Sequence, residues 1–477
     1  MEKAELARRL AEIIGSEYVS GDPDTLFIYS HDMTENEPSE PDLVVMPDSV
    51  EEVQSIVRLA NEQRIPLTPF VAGANVGGLA IPREGGIVVD LKRMKRILEV
   101  NEDNMYVIIE PGVTFGHLRA CLDNEHPRFR YAYPLSPPYT SVMCNALLDG
   151  LTNLSTKHGD MSEWINSLEV VLPTGEVVNI GAAAASKYWF GRAPLPDLAG
   201  LFISWQGTTG IVTKMAVQIC PKYKYRKRMF VMAYDIDSFF AFVRRCAWTQ
   251  LYDDIAGFSW PAAKMMVARR VKLTRDPDEP ELGAYLDFSG DTKKEMEFKE
   301  AMVRDIIKEL KDKGIELEPP LLVDDLVKIN PDYLKLAEFP TTLDFLIDYG
   351  GGGFTWVGSY GPMSKSEEGT KKLFAVMEKY GFPPFLVTRP MKGAHYQVLR
   401  FIAPFDKSDQ EQVKKVRELC REMAESLLDL GFIPYKAPPW AAELILKRAD
   451  PNWVKLLKTI KNTLDPNRIM NPGKWGL

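Results

Sequence analysis

Apolar positions recur along this chain first with a helical period, then with a strand period, in short alternating blocks. Residues 1–15 (MEKAELARRLAEIIG) alternate charge with apolar residues at helical spacing and stop at Gly15, which predicts an amphipathic helix. The apolar run 43–46 predicts a strand. Ser49-Val-Glu-Glu52 is a capping box opening a helix on which Val50, Val53, Ile56, Val57 and Ala60 share one face. A strand at 66–69, a small-residue loop at 71–78 and a strand at 87–91 complete a β-α-β start. A strand at 105–110 then turns at Pro111-Gly112 into a helix over 115–122, and a polar loop region covers 133–160. Strands at 168–172 and 176–180 flank the turn Pro173-Thr174-Gly175 as a hairpin. Residues 199–214 (AGLFISWQGTTGIVTK) read as a helix-like half followed by a Gly-bounded strand.

The composition shifts at 222–228 (KYKYRKR), and a domain boundary is expected there. A strand at 229–234, a helix at 237–250 and a helix at 293–313 follow. Two similar units come next: strand 354–360, helix 364–380 and strand 384–388, then strand 395–402, helix 408–430 and strand 432–436. Strand–helix–strand twice over predicts a split β-α-β antiparallel sheet with helices on one side, a ferredoxin-like layout. A helix at 451–464 and a Pro/Gly-punctuated tail end the chain. The fold class is α+β, with units at 1–225 and 226–436 and a segment 437–477 that returns to the first.

Composition narrows the function classes. The 477 residues are 45% hydrophobic and 26% charged with a formal charge of −8, an ordinary globular balance with no basic stripe for a nucleic acid. Five widely spaced cysteines without a C-x-x-C argue against a disulfide framework, a zinc site or an iron–sulfur cluster. No window approaches eighteen uninterrupted apolar residues and the first helix lacks a signal-peptide core, so a soluble cytoplasmic protein without a membrane span is expected.

The chemistry begins at the loop 71–78 (VAGANVGG), where three of eight residues are Gly and two are Ala. Such a loop brings backbone N–H groups close to an anion, although an ordinary turn accounts for it equally well. It is not a Rossmann fingerprint: no G-x-G-x-x-G leads into a helix.

Several ordered stretches resemble the vanillyl-alcohol oxidase / p-cresol methylhydroxylase superfamily of flavoproteins. They are 41–67 (PDLVVMPDSVEEVQSIVRLANEQRIPL), the loop 71–78, 108–122 (IIEPGVTFGHLRACL), 141–150 (SVMCNALLDG), 158–178 (HGDMSEWINSLEVVLPTGEVV), 200–215 (GLFISWQGTTGIVTKM) and 464–476 (LDPNRIMNPGKWG). The resemblance implies a two-subdomain FAD-binding domain of the p-cresol methylhydroxylase type beneath a cap domain. It implies FAD contacts from Gly73, Ala74, Asn75, Val76, Gly77 and Gly78 at the pyrophosphate. Ser141 and Asn145 would lie by the ribityl chain and pyrophosphate, Gly159 and Asp160 near the flavin or adenine end, and Ile211 and Val212 on the adenine side. Asn471 and Lys474 belong to the returning tail.

Two substrate classes compete within the resemblance. Hydroxy-acid oxidisers carry a metal-binding His pair in GNLH-like and EHG-like stretches, and this chain has neither, so no metal is expected. Oxidisers of 4-alkylphenols and aromatic alcohols are similar at 187–202 (KYWFGRAPLPDLAGLF) and at 431–438 (GFIPYKAP). There Tyr435 and Lys436 take the phenolate-binding places, with Lys where Arg is usual. His395 lies on a cap strand that would face the flavin. The catalytic set is then Tyr435, Lys436 and His395, although Lys436 reads equally as a surface lysine and His395 as a structural histidine. Ser136 stands where the phenol oxidisers carry an acid, and no tyrosine matches theirs in 71–78. The covalent-attachment position falls at 353–355, which holds no His or Tyr, so FAD is expected without a covalent bond; His31 and His158 are lesser candidates for attachment. The implied chemistry is hydride transfer from a small hydroxylated molecule to flavin N5. The electrons then pass to an external acceptor: a cytochrome, an iron–sulfur protein, another flavoprotein or O2. A homodimer is implied. A D-2-hydroxy-acid dehydrogenase and a flavin subunit of a larger electron-transfer complex stay as alternatives.

Overall fold

A computed structural model of the chain describes residues 2–74, 76–267, 273–341 and 351–477. The first helix, α1 (Lys3–Ile14), ends at Gly15, whose φ of 91° suits a residue without Cβ. Strands β1 (Val19–Ser20), β2 (Leu43–Val45), β3 (Leu67–Phe70) and β4 (Ile87–Asp90) form one sheet in the order β1-β2-β4-β3, with β2 and β3 parallel to β4. Helix α2 (Val50–Gln63) crosses between β2 and β3 and buries Val53, Ile56, Val57, Leu59 and Ala60. Its cap follows the sequence signal with one change. Ser49 Oγ accepts from the Glu52 N–H at 3.2 Å, but the Glu52 carboxylate accepts from the Asp48 N–H at 2.7 Å.

A second, five-stranded antiparallel sheet runs β5 (Ile97–Asn101), β6 (Tyr106–Ile109), β9 (Ile211–Gln218), β7 (Ile165–Val171) and β8 (Val177–Gly181). The last strand in sequence lies in the middle, so β9 closes the sheet and carries Ile211 and Val212 into its core. The helix-like half expected before β9 is only a 3₁₀ turn, Ala199–Leu201. Gly200, Gly207 and Gly210 and the β-branched Ile203, Thr208 and Thr209 leave too little propensity for an α-helix.

The remainder builds one eight-stranded antiparallel sheet. Its order is Leu321–Leu322, Tyr225–Ala233, Leu282–Gly290, Asp254–Ser259, Leu386–Met391, Tyr396–Asp406, Gly352–Gly361 and Ile433–Pro434. The order is symmetric. Each half is a β-α-β-β-α-β unit, and the two halves join edge to edge where Gly257 pairs with Thr388. Helices Ile236–Ala247 and Lys293–Lys311 cover the first half, and Ser366–Lys379 and Gln410–Asp429 the second. Phe239, Phe240, Phe242, Leu399, Phe401 and Phe405 are buried between helices and sheet, at roughly 2–3 kcal/mol for each large side chain.

The strands Asp254–Ser259 and Leu282–Gly290 left no period-2 signal, because they are buried on both faces. Their charged residues also mislead. Asp254 is paired with Arg389, and Asp287 with Arg226.

The tail lies against the first sheet, where Met470 bridges Leu67 of β3 in parallel. No helix among the described residues is long and apolar enough to cross a membrane.

The seam gives a stability prediction. A Cβ on Gly257 would lie 2.2 Å from Phe239 Cζ and 2.6 Å from Thr388 Cγ2, which neither neighbour can yield without repacking. Gly257→Val is expected to destabilise the protein by about 2 kcal/mol or more, read as a lower urea midpoint. An unchanged midpoint would mean that the seam is not tightly packed.

Candidate functional site

Two cavities meet at one set of residues. The first is a cleft between the two smaller sheets. Its lining includes Phe70–Ala74 as the loop leaves β3, Leu79 and Ala80, helix α3 (Val142–Leu147) with its cap Ser141, Gln206 and Gly207, Gly210–Val212 at the start of β9, and Asn471 from the tail. Small residues line the loop side because two turns need positive φ. Gly73 and Gly78 both have φ of 64°, and a Cβ on Gly73 would lie 2.7 Å from the Phe70 ring. The Gly78 N–H donates to Asp32 Oδ2 at 2.8 Å, whereas the N–H groups of Gly73 and Ala74 donate to nothing among the described residues. The Lys474 amine holds the loop from behind, donating to the carbonyls of Gly78 at 2.8 Å and Ile81 at 3.0 Å. Burial pulls Lys474 down to about 7. Asn471 Nδ2 donates to the Gln206 carbonyl at 2.6 Å, while Asn471 Oδ1 and Gln206 Oε1 are buried without a partner. Free N–H groups, unpaired amide oxygens and walls of Gly and Ala fit a flat, phosphate-bearing dinucleotide such as FAD.

The second cavity lies under the large sheet. Its walls include Met33, Val76, Leu135, Phe258, Phe339, Phe354, Trp356 and Val387, with Arg389 and Arg400. The register pairs Val387 with Arg400 and Arg389 with Val398, which puts both arginines on the sheet face opposite the helices. Ala74, Thr140, Asn145 and Lys436 line both cavities, so these four residues form the junction.

The junction is cationic. Arg389 is compensated by Asp254, at 2.6 and 2.9 Å. Among the described residues Arg400 has no such carboxylate: it lies 4.5 Å over the Trp356 ring and donates to Tyr435 Oη from Nε at 3.1 Å and Nη2 at 2.6 Å. Gly358 makes room for Tyr435, since a Cβ there would lie 2.6 Å from its ring, and Tyr360 stacks on that ring at 4.6 Å. The Lys436 amine donates to Asn145 Oδ1 at 2.6 Å. Burial first, then the Arg400 charge, pulls that amine down to about 7, with Asp149 and Cys144 opposing. Burial pushes the Asp149 carboxyl up to about 6, helped by Asp160.

Of the residues expected from the sequence, Gly73, Ala74, Ser141, Asn145, Ile211, Val212 and Asn471 line the cleft, and Lys436 lies at the junction. The Ser141 hydroxyl is already committed: it donates to the Pro111 carbonyl at 2.6 Å and accepts from the Cys144 N–H. Val76 turns away into the core of the large sheet and lines the second cavity. Gly77 is buried behind the loop, and Lys474 supports it without lining either cavity. Asn75 lies outside the described residues. Gly159 and Asp160 line neither cavity; the Asp160 carboxylate accepts from Tyr396 Oη at 3.1 Å, a contact between the segment preceding β7 and the large sheet. Tyr435 reaches the site through Arg400. His395 is exposed in the hairpin turn between Met391 and Tyr396 and lines neither cavity, because the strand expected to carry it starts one residue later. His31 and His158 line neither. At 353–355, where the resemblance put the attachment position, a Cβ on Gly353 would lie 2.6 Å from the Phe405 carbonyl. Arg400, Arg389, Trp356 and Gln206 were missed. The two arginines did leave a signal, a lone cation inside each of two apolar strands, LVTRPM and YQVLRFIAPFD.

Residues 41–181 match the model of an FAD binding domain, and residues 440–475 that of the C-terminal domain of FAD linked oxidases. Glycolate oxidase subunit GlcD of Bacillus subtilis (strain 168) is 30% identical over 241 residues, 49% of this chain and 48% of that protein, so the match spans about half its length. The 4-cresol dehydrogenase (hydroxylating) flavoprotein subunit of Pseudomonas putida is 24% identical, over 98% of this chain and 95% of that one. A crystal structure of p-cresol methylhydroxylase with substrate bound superposes with a TM-score of 0.88 at 21% identity, covering 99% of this chain and 96% of that one.

The tail contact makes a prediction. Lys474→Met leaves the Gly78 and Ile81 carbonyls without their donor, at a cost of about 1–3 kcal/mol. Flavin affinity is expected to fall tenfold or more, measured as flavin absorbance per chain after dialysis. Full retention of flavin would show that the loop does not depend on this amine.

Proposed function

The chain belongs to the FAD-linked oxidases and has the p-cresol methylhydroxylase fold, and from that premise we propose that it oxidises a small aromatic substrate bearing an ionisable hydroxyl. The observation that carries this reading is the Arg400–Tyr435–Lys436 cluster at one end of a chamber walled by Phe258, Phe339, Phe354 and Trp356. FAD, when bound, supplies the two-electron acceptor for the hydride that leaves the substrate carbon. The aromatic walls take up the ring and exclude water, which strengthens the charge interactions inside. Arg400, oriented by the Trp356 face and Tyr435 Oη, places a fixed positive charge where the substrate oxygen becomes negative. An ionised oxygen pushes electron density through the ring toward the carbon losing hydride. Binding the oxyanion and easing the oxidation are therefore one act.

A D-2-hydroxy acid is the second reading, favoured by the 30% identity to the glycolate oxidase subunit. Its carboxylate would pair with Arg400. The extended aromatic wall opposite would then face a substrate with little apolar surface, which favours the first reading.

We also hold the flavin to be non-covalent. Positions 353–355 are Gly, Phe and Thr, and the Phe405 carbonyl closes the space beside Gly353. Acid precipitation of the protein is expected to leave the flavin in the supernatant; a yellow pellet would refute this.

The substrate reading is checked by anaerobic mixing. p-Cresol or vanillyl alcohol is expected to bleach the flavin, and D-lactate or glycolate to leave it oxidised; the reverse pattern would select the hydroxy-acid reading. Arg400→Met, which removes a charge-assisted partner of about 1.5–3 kcal/mol, is expected to slow bleaching roughly 10- to 100-fold. Tyr435→Phe is expected to slow it less, because Arg400 keeps its Trp356 contact.

A further inference from the structure

We infer that Lys436 is the proton acceptor for the substrate hydroxyl: its amine, at the junction of the two cavities and beside Arg400, takes the proton as the oxygen enters the cation cluster. This rests on the aromatic-hydroxyl reading above.

A phenol gives up its proton near pH 10 in water, so a site that binds the anion at neutral pH must supply a base or stabilise the anion heavily. Among the described residues, no carboxylate and no imidazole lines the substrate chamber. The guanidinium groups of Arg389 and Arg400 are donors with no acceptor lone pair for a proton. The hydroxyls of Ser136 and Thr140 and the amide of Asn145 are not bases there. Tyr435 Oη already accepts two N–H groups from Arg400. The phenol of Tyr139, which also lines the chamber, is an acid and not a base at neutral pH, so among the described lining residues Lys436 is the one that can take up a proton there.

Its surroundings bias that count. Arg400 faces it from the strand Tyr396–Asp406, Cys144 and Asn145 from α3, and Asp149 from the turn after α3; its neighbour Tyr435 has its ring 5.9 Å away. Burial and Arg400 hold the amine near 7, so above neutrality it waits largely unprotonated, donating one N–H to Asn145 Oδ1 with its lone pair unused. Asp149 offers limited opposition, since its carboxylate is engaged by the Ser204 hydroxyl and is itself raised by burial.

The step balances within the site. The substrate O–H bond breaks, an N–H bond forms on Lys436 Nζ, and no electron changes hands. The cavity holds one net positive charge from the junction before and after, so no free ion crosses from water into the apolar chamber. The oxygen ends between an ammonium and a guanidinium. An arginine in place of Lys436 would supply charge but could accept no proton, and water would have to take it.

Phenol itself, which has no alkyl hydrogen to lose, is the probe. FAD-loaded protein is titrated with phenol at about pH 8 by calorimetry in two buffers of different ionisation enthalpy, with the ultraviolet phenolate band followed in parallel. Wild type is expected to bind phenol with the phenolate band present and close to zero protons released. Lys436→Arg is expected to show the same band with about one proton released per phenol. Lys436→Gln, which keeps the size but neither charge nor basicity, is expected to bind neutral phenol at least tenfold more weakly without the band. Flavin content of each variant checks that the site is intact. Equal proton release from wild type and Lys436→Arg would overturn the role of Lys436 while leaving the aromatic reading in place. Failure of wild type to bind phenol at all would overturn both.

Discussion

The site rests on amines buried against main-chain carbonyls. Lys461 donates to the Thr208 and Met470 carbonyls at 2.7 and 2.9 Å and to Asp465 at 2.5 Å, and Lys474 donates to the Gly78 and Ile81 carbonyls. Together with the Leu67–Met470 bridge, these bonds carry the last residues of the chain back across β3 and onto the small-residue loop. A buried amine without partners costs several kcal/mol, so each is tolerable only where carbonyls converge on it. The loop can stay open to a ligand on one face because the tail satisfies it on the other.

The large sheet completes the site from above, and its charge arithmetic is uneven by design of the strands. Arg389 is neutralised by Asp254 from the neighbouring half of the sheet, which also ties the two halves together near their seam. Among the described residues, Arg400 and Lys436 face the same chamber without an equivalent carboxylate partner. The excess of positive charge therefore belongs to the chamber rather than to the scaffold, where it can face a substrate oxygen.

The elements with a one-sided apolar pattern were legible in the sequence. The Ser49 cap and the α2 face follow from residue patterns that a single helix carries by itself, whereas the return of the tail was implied only by the family resemblance. The strands Asp254–Ser259 and Leu282–Gly290 were not legible, because central strands bury both faces and their Asp residues signal surface until the partner arginines are known. The site divided along the same line. Gly73, Asn145 and Lys436 sit in ordered local motifs, whereas Arg400 acquires meaning only through register: it lies opposite Gly358, against Tyr435, with Trp356 beneath it. His395 failed for a local reason, a one-residue difference between the end of a turn and the start of a strand.

Lys436 has φ of 50° and Asn471 φ of 39°, so two polar residues lining the cavities occupy the left-handed region that favours glycine. Each backbone would relax by about 1 kcal/mol with glycine in its place, and each side chain would then be lost. At Lys436, whose amine is buried at the junction, a steadier backbone and a working side chain thus pull in opposite directions. At Asn471 the relief is outweighed, because the buried Gln206 carbonyl would lose its donor at about 1–3 kcal/mol, so the strained backbone is held in place by the same contact that shapes the cleft.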